Sequence, residues 1–406
     1  MNFQTSPVFE PLRVLIFNSL TPVAKLVSWK ILSGSVFGES QLIDLTLVVY
    51  VNEIPSAELL KNELETGALS CMNTIKITSD LPSISDGDVF CFNTNFPNPN
   101  TYEEEEDEYD DCFSSLYLII KLASSFTWPA SNQNTEDTNE SDLNRGKYIS
   151  ASVLKRKPII VADGIVTIDI LKSFSENMPP DLFFFPSPLT SIAKAVLADY
   201  LGVRCNNIND SLVWAANDEV FHIQVEKPII TKGAVTTSSL CEGDTIDNNF
   251  LESINMDSTQ FSETWLKKDF LDKVCSIASK NPYGSIYKAS ELARVMRDVW
   301  KTRAVKNNDQ LTYSTNIGVI SDGSLNTIKG LPYILPVTFN NDSWEVNERF
   351  AEDIHLKQEI KRINLCVKKQ HAKLIPLCKK FLETHVKAQI TDESTEYSRV
   401  VSVSTF

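Results

Sequence analysis

Residues 14–38 read Val-Leu-Ile-Phe-Asn-Ser-Leu-Thr-Pro-Val-Ala-Lys-Leu-Val-Ser-Trp-Lys-Ile-Leu-Ser-Gly-Ser-Val-Phe-Gly, an apolar β-type run, a short polar turn and an apolar helical stretch. Strand, turn and helix in this order form the frame on which α/β folds seat a dinucleotide. In a Gly-x-x-Gly-x-x-Gly/Ala turn, the first two glycines allow the tight turn and let backbone amides touch a pyrophosphate, while the third serves close packing of helix on strand. Here Asn18 and Thr21 occupy the first two places, and only Ala24 keeps the third. Thr21-Pro22 is good N-cap and first-turn chemistry, so the helix is expected to start where it should while the phosphate seat is degenerate. Asn tolerates positive φ, so an ordinary β-turn-α unit of any α/β protein stays open as the bland alternative.

The rest of the chain extends the pattern. Short apolar β-rich runs near 13–18, 42–50, 74–78, 89–94 and 158–162 alternate with helical stretches at 22–33, 56–67 and 113–126, which predicts a doubly wound parallel sheet. From about residue 165 the rhythm changes to helix 165–176, strand 182–185, helix 189–201, strands 211–215 and 219–225, and helices 264–280 and 286–303. Strands 315–321, 332–339 and 343–347 and a helical region over 353–385, broken near Pro376, follow. The expected organisation is therefore α/β: a Rossmann-like N-terminal domain over 1–164 with acidic and polar insertions near 101–147, an α+β C-terminal domain over 165–390, and a tail over 391–406.

Composition narrows the function classes. A 406-residue chain that is 42% hydrophobic and 22% charged is ordinary globular protein. No apolar run approaches the roughly 18–20 residues of a membrane span, and Met1-Asn2-Phe3-Gln4 begins no signal peptide, which points to the cytosol and to no membrane partner. A net charge of −15 disfavours nucleic acid. Eight cysteines, no pair closer than 12 residues and most in apolar runs, are expected to be reduced and buried rather than metal ligands. The acidic run from Glu103 to Asp111 reads as a solvated loop, or more sharply as a docking surface for a basic partner. Lys368, Lys369, Lys373, Lys379 and Lys380 around Leu365, Val367, Leu374 and Leu377 read as an amphipathic helix on its own domain, with binding of an acidic protein surface as the sharper alternative.

Leu32-Ser33-Gly34-Ser35-Val36-Phe37-Gly38, the helix ending Ala193 to Val203, the strand Leu212-Val213-Trp214, the helix end Arg297-Asp298-Val299-Trp300 and Gly318-Val319-Ile320-Ser321-Asp322-Gly323 occur in the order found in cytosolic-type malate dehydrogenases. The chain resembles that family over about 12–385, and looks closest to its divergent malate dehydrogenase 1B-like branch. That branch also lacks the glycine turn, but usually carries an N-terminal extension not seen here. The resemblance implies a lactate/malate dehydrogenase-like fold, NAD as cofactor, hydride transfer between malate and NAD, and a homodimer whose interface uses the helix after the first strand.

The same resemblance exposes what is missing. The family's Trp-Gly-Asn-His reads Trp214-Ala215-Ala216-Asn217, which puts Asn217 at the base position, and an amide cannot take a proton at neutral pH. The Asp-x-x-Arg pair that orients the base and clamps substrate falls on Leu189 and Ile192. The mobile loop that supplies two arginines for a dicarboxylate reads Pro97-Asn98-Pro99, followed by glutamates. The carboxylate that holds the ribose hydroxyls corresponds to Val49, and the Gly-Asn-Pro-x-Asn segment to Ala162-Asp163-Gly164-Ile165-Val166. Of the four histidines, His222 follows Asn217 by five residues and is the one considered as a relocated base; an ordinary strand histidine is the commoner explanation. The leading expectation is a non-catalytic homologue working through protein contacts, with no intact catalytic or cofactor-binding residues and no metal, in the cytoplasm or the axoneme of ciliated or flagellated cells. An NAD-dependent malate dehydrogenase and a non-catalytic nucleotide sensor are the alternatives.

Overall fold

The fold is that of a computed structural model describing residues 10–79, 87–94, 96, 119–120, 122–123, 157–175, 177–205, 208, 211–225, 265–266, 268–280, 284–304, 312–340 and 343–391. The acidic run at 103–111, the Pro97-Asn98-Pro99 loop, the polar stretch at 128–147, Cys112, Cys241, most of the helix expected at 113–126 and the tail after Thr391 lie outside the described residues.

Among the described residues eleven strands form one sheet in the order β3-β2-β1-β4-β5-β6-β9-β10-β7-β8, with β11 off this path and paired to β10. They are β1 Leu12–Phe17, β2 Ile43–Val48, β3 Met72–Thr78, β4 Val89–Phe92, β5 Ile159–Ala162, β6 Phe183–Phe185, β7 Leu212–Ala215, β8 Phe221–Gln224, β9 Thr312–Ile320, β10 Pro332–Asn340 and β11 Ser343–Val346. Pairing is parallel from β3 through β6 and antiparallel from β6–β9 onward. The parallel strands read as near-continuous apolar runs because both sheet faces are covered. Alternate residues enter opposite cores: Leu15, Phe17, Phe90, Phe92, Phe183 and Phe185 on one side, Val14, Ile16, Val89, Cys91 and Phe184 on the other. Edge strand β3 buries only Ile75, as suits a strand with one open side.

Seven helices among the described residues flank the sheet: α1 Pro22–Leu32, α2 Ile54–Thr66, α3 Ile165–Phe174, α4 Pro188–Leu201, α5 Phe270–Ser279, α6 Ser285–Ala304 and α7 Ile354–Thr391. Helix α1 buries Ala24, Val27, Ser28, Ile31 and Leu32 while leaving Trp29 52% exposed. Its end and α6 bring two of the sequence motifs together: Trp300 Nε1 donates to Phe37 O at 3.1 Å, and the two rings meet edge-on at 5.5 Å. Helix α4 stops at Gly202, which takes φ 65°, the left-handed C-cap that an L side chain resists.

Two expectations are corrected. Helix α7 is not broken near Pro376 but runs through it: the proline sits on the exposed side, while Leu374, Ile375 and Cys378 bury against the core on either side. The helix expected over 264–280 is present among the described residues, with π-type turns at Trp265, Leu266, Lys268 and Asp269 leading into α5 at Phe270, and Trp265 stacks on Tyr200 at 3.6 Å. Of the six described cysteines, Cys71, Cys91 and Cys378 are buried, but Cys205 and Cys275 are exposed and Cys366 lies between. Burial pushes the Cys91 thiol up to about 12, so it is inert as a nucleophile.

Strand β6 approaches β9 closely because position 318 has no side chain. A Cβ on Gly318 would lie 2.2 Å from Phe185 Cγ. Gly318→Ala is therefore expected to cost about 1–3 kcal/mol or more in urea unfolding; an unchanged midpoint would show that the ring has room to move.

Candidate functional site

In doubly wound sheets ligands sit at the carboxyl ends of the parallel strands, where β1, β2, β4 and β5 here terminate. Asn18 follows β1 with φ 52°, adopting the left-handed conformation that the missing glycine would supply. Its Nδ2 donates across to Asn93 O at 3.0 Å, tying the β1–α1 turn to the end of β4. The buried Ser19 hydroxyl donates to Val48 O at 2.9 Å, tying the same turn to β2. Thr21 is the N-cap of α1, its Oγ1 accepting from the Ala24 N–H at 3.2 Å, and Pro22 brings no N–H. Of the first three helical positions that could meet an anion, one has no donor and another is already taken. Ala24 is fully buried against the core, and Val49 is 5% exposed with its N–H donating to Thr78 O.

The β4–β5 side is closed in the same manner. Asp163 accepts the Thr94 N–H at 2.8 Å and the Thr94 hydroxyl at 2.9 Å, and Gly164 begins α3. Phe17 and Phe92, paired in register at the strand ends, stack at 4.2 Å with 4° between ring planes.

The residues at the expected catalytic positions are engaged within the chain. Asn217 lies in the β7–β8 turn, where its Oδ1 accepts the N–H groups of Glu219 at 2.9 Å and Val220 at 2.8 Å, and its Nδ2 donates to Cys366 Sγ of α7 at 3.6 Å. Leu189 and Ile192, in the first turn and a half of α4, are 0% and 5% exposed within the apolar core. No hydrogen bond joins Asn217 to α4 among the described residues. Nearby, α4 is held by polar contacts to α6: Tyr287 Oη donates to Pro188 O at 2.8 Å, and Ser191 Oγ to Glu291 Oε1 at 2.7 Å. Arg294 of α6 is taken up by Glu291 at 2.9 Å, Asp298 at 3.2 Å and the Thr315 hydroxyl at 3.1 Å.

His222 is 8% exposed, sits opposite Trp214 in register, and meets the His355 ring edge-on at 5.2 Å; its Nε2 has no partner among the described residues. Burial holds its pKa below the ordinary histidine value, opposed by Glu359, as suits a neutral strand histidine facing α7.

A pair not expected from the sequence is His371 with Asp169. Nδ1 of His371 on α7 lies 2.9 and 3.0 Å from the two carboxylate oxygens of Asp169 on α3, beside a small pocket lined by Ile165, Val166, Pro332, Val367, Gln370 and Leu374. Bonding to the carboxylate raises the His371 pKa against the opposing effect of burial. The two residues are 202 positions apart, so no spacing announces them; the available signal was an acid inside the apolar run Ile165–Leu171.

No protein-family profile matches the chain. It is 24% identical to cytoplasmic malate dehydrogenase of Homo sapiens over 351 residues, 84% of this chain and 90% of that one. Against malate dehydrogenase 3, cytoplasmic, of Arabidopsis thaliana it is 23% identical over 351 residues, covering 85% and 89%. The chain is similar over most of its length to cytoplasmic malate dehydrogenases at 23–24% identity. It has the lactate/malate dehydrogenase fold: the malate dehydrogenase of Naegleria fowleri superposes with a TM-score of 0.64 at 15% identity over 91% of this chain and 99% of that one. A Trichomonas vaginalis lactate dehydrogenase in complex with NADH and oxamate gives 0.64 at 16%, covering 92% and 99%. Among the described residues no helix is long and apolar enough to cross a membrane, and no three His, Cys, Asp or Glu are placed to hold a metal ion.

Two changes test this polar wiring. Asn217→Ala removes the acceptor of two backbone N–H groups and is expected to cost about 1–2 kcal/mol in thermal or urea unfolding; no change would mean water replaces it. The His371 pKa is raised in the fold, so the pair's stabilisation is complete below the ordinary value of 6.5 and is lost as pH rises through the folded value. The melting-temperature gap between the parent and Asp169→Asn should therefore widen from about pH 8 to about pH 5.5; a gap that narrows would contradict the pairing.

Proposed function

We propose that this chain is a non-catalytic member of the malate dehydrogenase group that acts as a structural or interaction protein. The observation that carries the reading is Asn217: the side chain at the base position accepts two backbone N–H groups to close a hairpin turn, and an amide accepts no proton at neutral pH. Buried Leu189 and Ile192 at the orienting and clamping positions support it, since neither holds an imidazole nor meets a carboxylate. The crevice residues do not fit NAD: Val49 offers no ribose partner, the Ala24 N–H is capped, and Asn18 bridges to β4. Dimerisation is proposed through α1, whose exposed Trp29 lies beside the partly buried Val23 and Leu26. A cytoplasmic location, in the axoneme of ciliated or flagellated cells, is proposed on the resemblance to the 1B-like branch alone.

The deciding experiment is an NADH titration of the full chain, following cofactor fluorescence and melting temperature together. No change up to about 1 mM NADH is expected, and saturable binding would remove the support drawn from Asn18, Thr21 and Val49. Asn217→His should restore no malate oxidation, because the clamping positions are apolar as well.

The second reading is an NAD-dependent dehydrogenase with a rebuilt acid–base pair, favoured by Asp169–His371, in which a carboxylate orients an imidazole. If malate-dependent NADH formation is found, that reading requires His371→Asn to reduce kcat about 10²–10⁴-fold, and an unaltered rate excludes it.

A further inference from the structure

Helix α7 carries nine Lys and Arg against two Glu, a net of +7, in a chain whose formal net charge is −15. One stripe of the helix, Leu356, Ile360, Ile363, Val367, Leu374 and Cys378, is buried. The opposite stripe recurs at the same helical spacing and faces solvent: Lys361, Leu365, Lys368, Lys369, Ala372 and Lys379 are all exposed, Leu365 to 72%. Elsewhere the described cations are commonly matched, as in Arg13–Asp88 and Arg294–Glu291, and on α7 itself Lys357–Glu352 and Arg362–Glu359. Lys361, Lys368, Lys369 and Lys379 have no hydrogen-bond or ion-pair partner among the described residues. The stripe thus holds unmatched positive charge around one exposed apolar side chain.

From Lys361 to Lys379 the helix rises about 27 Å, the length of an extended segment of about eight residues. Fields are screened beyond about 8 Å at physiological salt, so a short acidic segment laid on α7 meets the local positive charge, whereas a long polyanion also meets the negative remainder of the molecule. We propose that the solvent-facing stripe of α7 docks a short acidic segment of a partner protein, its carboxylates pairing with Lys361, Lys368, Lys369 and Lys379 and an apolar side chain resting on Leu365. This gives the proposed interaction role a partner class and rests on that role. The two fail separately, because NADH binding reports on the crevice and segment binding on α7.

The test is fluorescence anisotropy of a fluorescein-labelled ten-residue glutamate peptide with one central leucine, titrated with the full chain at low and physiological salt. Saturable binding that weakens with salt is expected, with the dissociation constant raised about tenfold or more in Lys368→Glu/Lys369→Glu and about threefold in Leu365→Ser. Both variants should keep the parent melting temperature, since the changed groups are exposed; Lys368→Gln/Lys369→Gln serves if the reversal misfolds. No saturable binding up to about 1 mM, affinity unaltered by the lysine changes, or tighter binding of a single-stranded oligonucleotide or anionic vesicles to the same stripe would overturn the proposal.

Discussion

Three phenylalanines hold the molecule's two kinds of sheet together. Phe183, Phe184 and Phe185 form β6, parallel to β5 on one side and antiparallel to β9 on the other, and all three are buried. The joint closes because Gly318 lets the Phe185 ring lie against the β9 backbone. Arg303, near the end of α6, fastens the same region: its guanidinium donates to Lys157 O and Pro158 O at 2.8 Å and lies 5.7 Å from the Phe184 ring centre. Helix α6 in turn meets the α1 end through Trp300 and Phe37. The position of α4, the β7–β8 hairpin and α7 relative to the parallel strands follows from this joint.

Against that framework, the polar groups around the crevice and hairpin turn toward the protein itself. Asn18, Ser19, Thr21, Asp163 and Asn217 each satisfy a backbone group of the chain. A buried N–H or C=O left without a partner is costly, so each of these side chains contributes to stability where it stands. The Asn217 amide oxygen accepts two turn N–H groups, which engages both of its lone pairs. Trp300 packs edge-on against Phe37, and Gly318 lets Phe185 lie against β9.

Much of this was legible in the sequence. The parallel strands were readable because covering both faces demands continuous apolar runs, and the α1 start because Thr21-Pro22 is a strong helix beginning. Departures have equally physical causes. Pro376 reads as a helix break, yet an exposed proline between buried anchors lets α7 continue. Asn217 lies two residues beyond β7 and accepts the N–H groups two and three residues on, a local turn that an Asn favours, whereas its contact with Cys366 of α7 depends on tertiary packing.

The sequence by itself determined the type and order of the elements, the apolar character of Leu189, Ile192 and Val49, and the amide at position 217, because these depend on residue identity and local periodicity alone. Only the tertiary structure decided that Asp169 meets His371, that Asn18 reaches Asn93, and that the α7 lysines face water around Leu365. Contacts between residues tens to hundreds of positions apart are fixed by strand order and helix packing, which local periodicity does not encode.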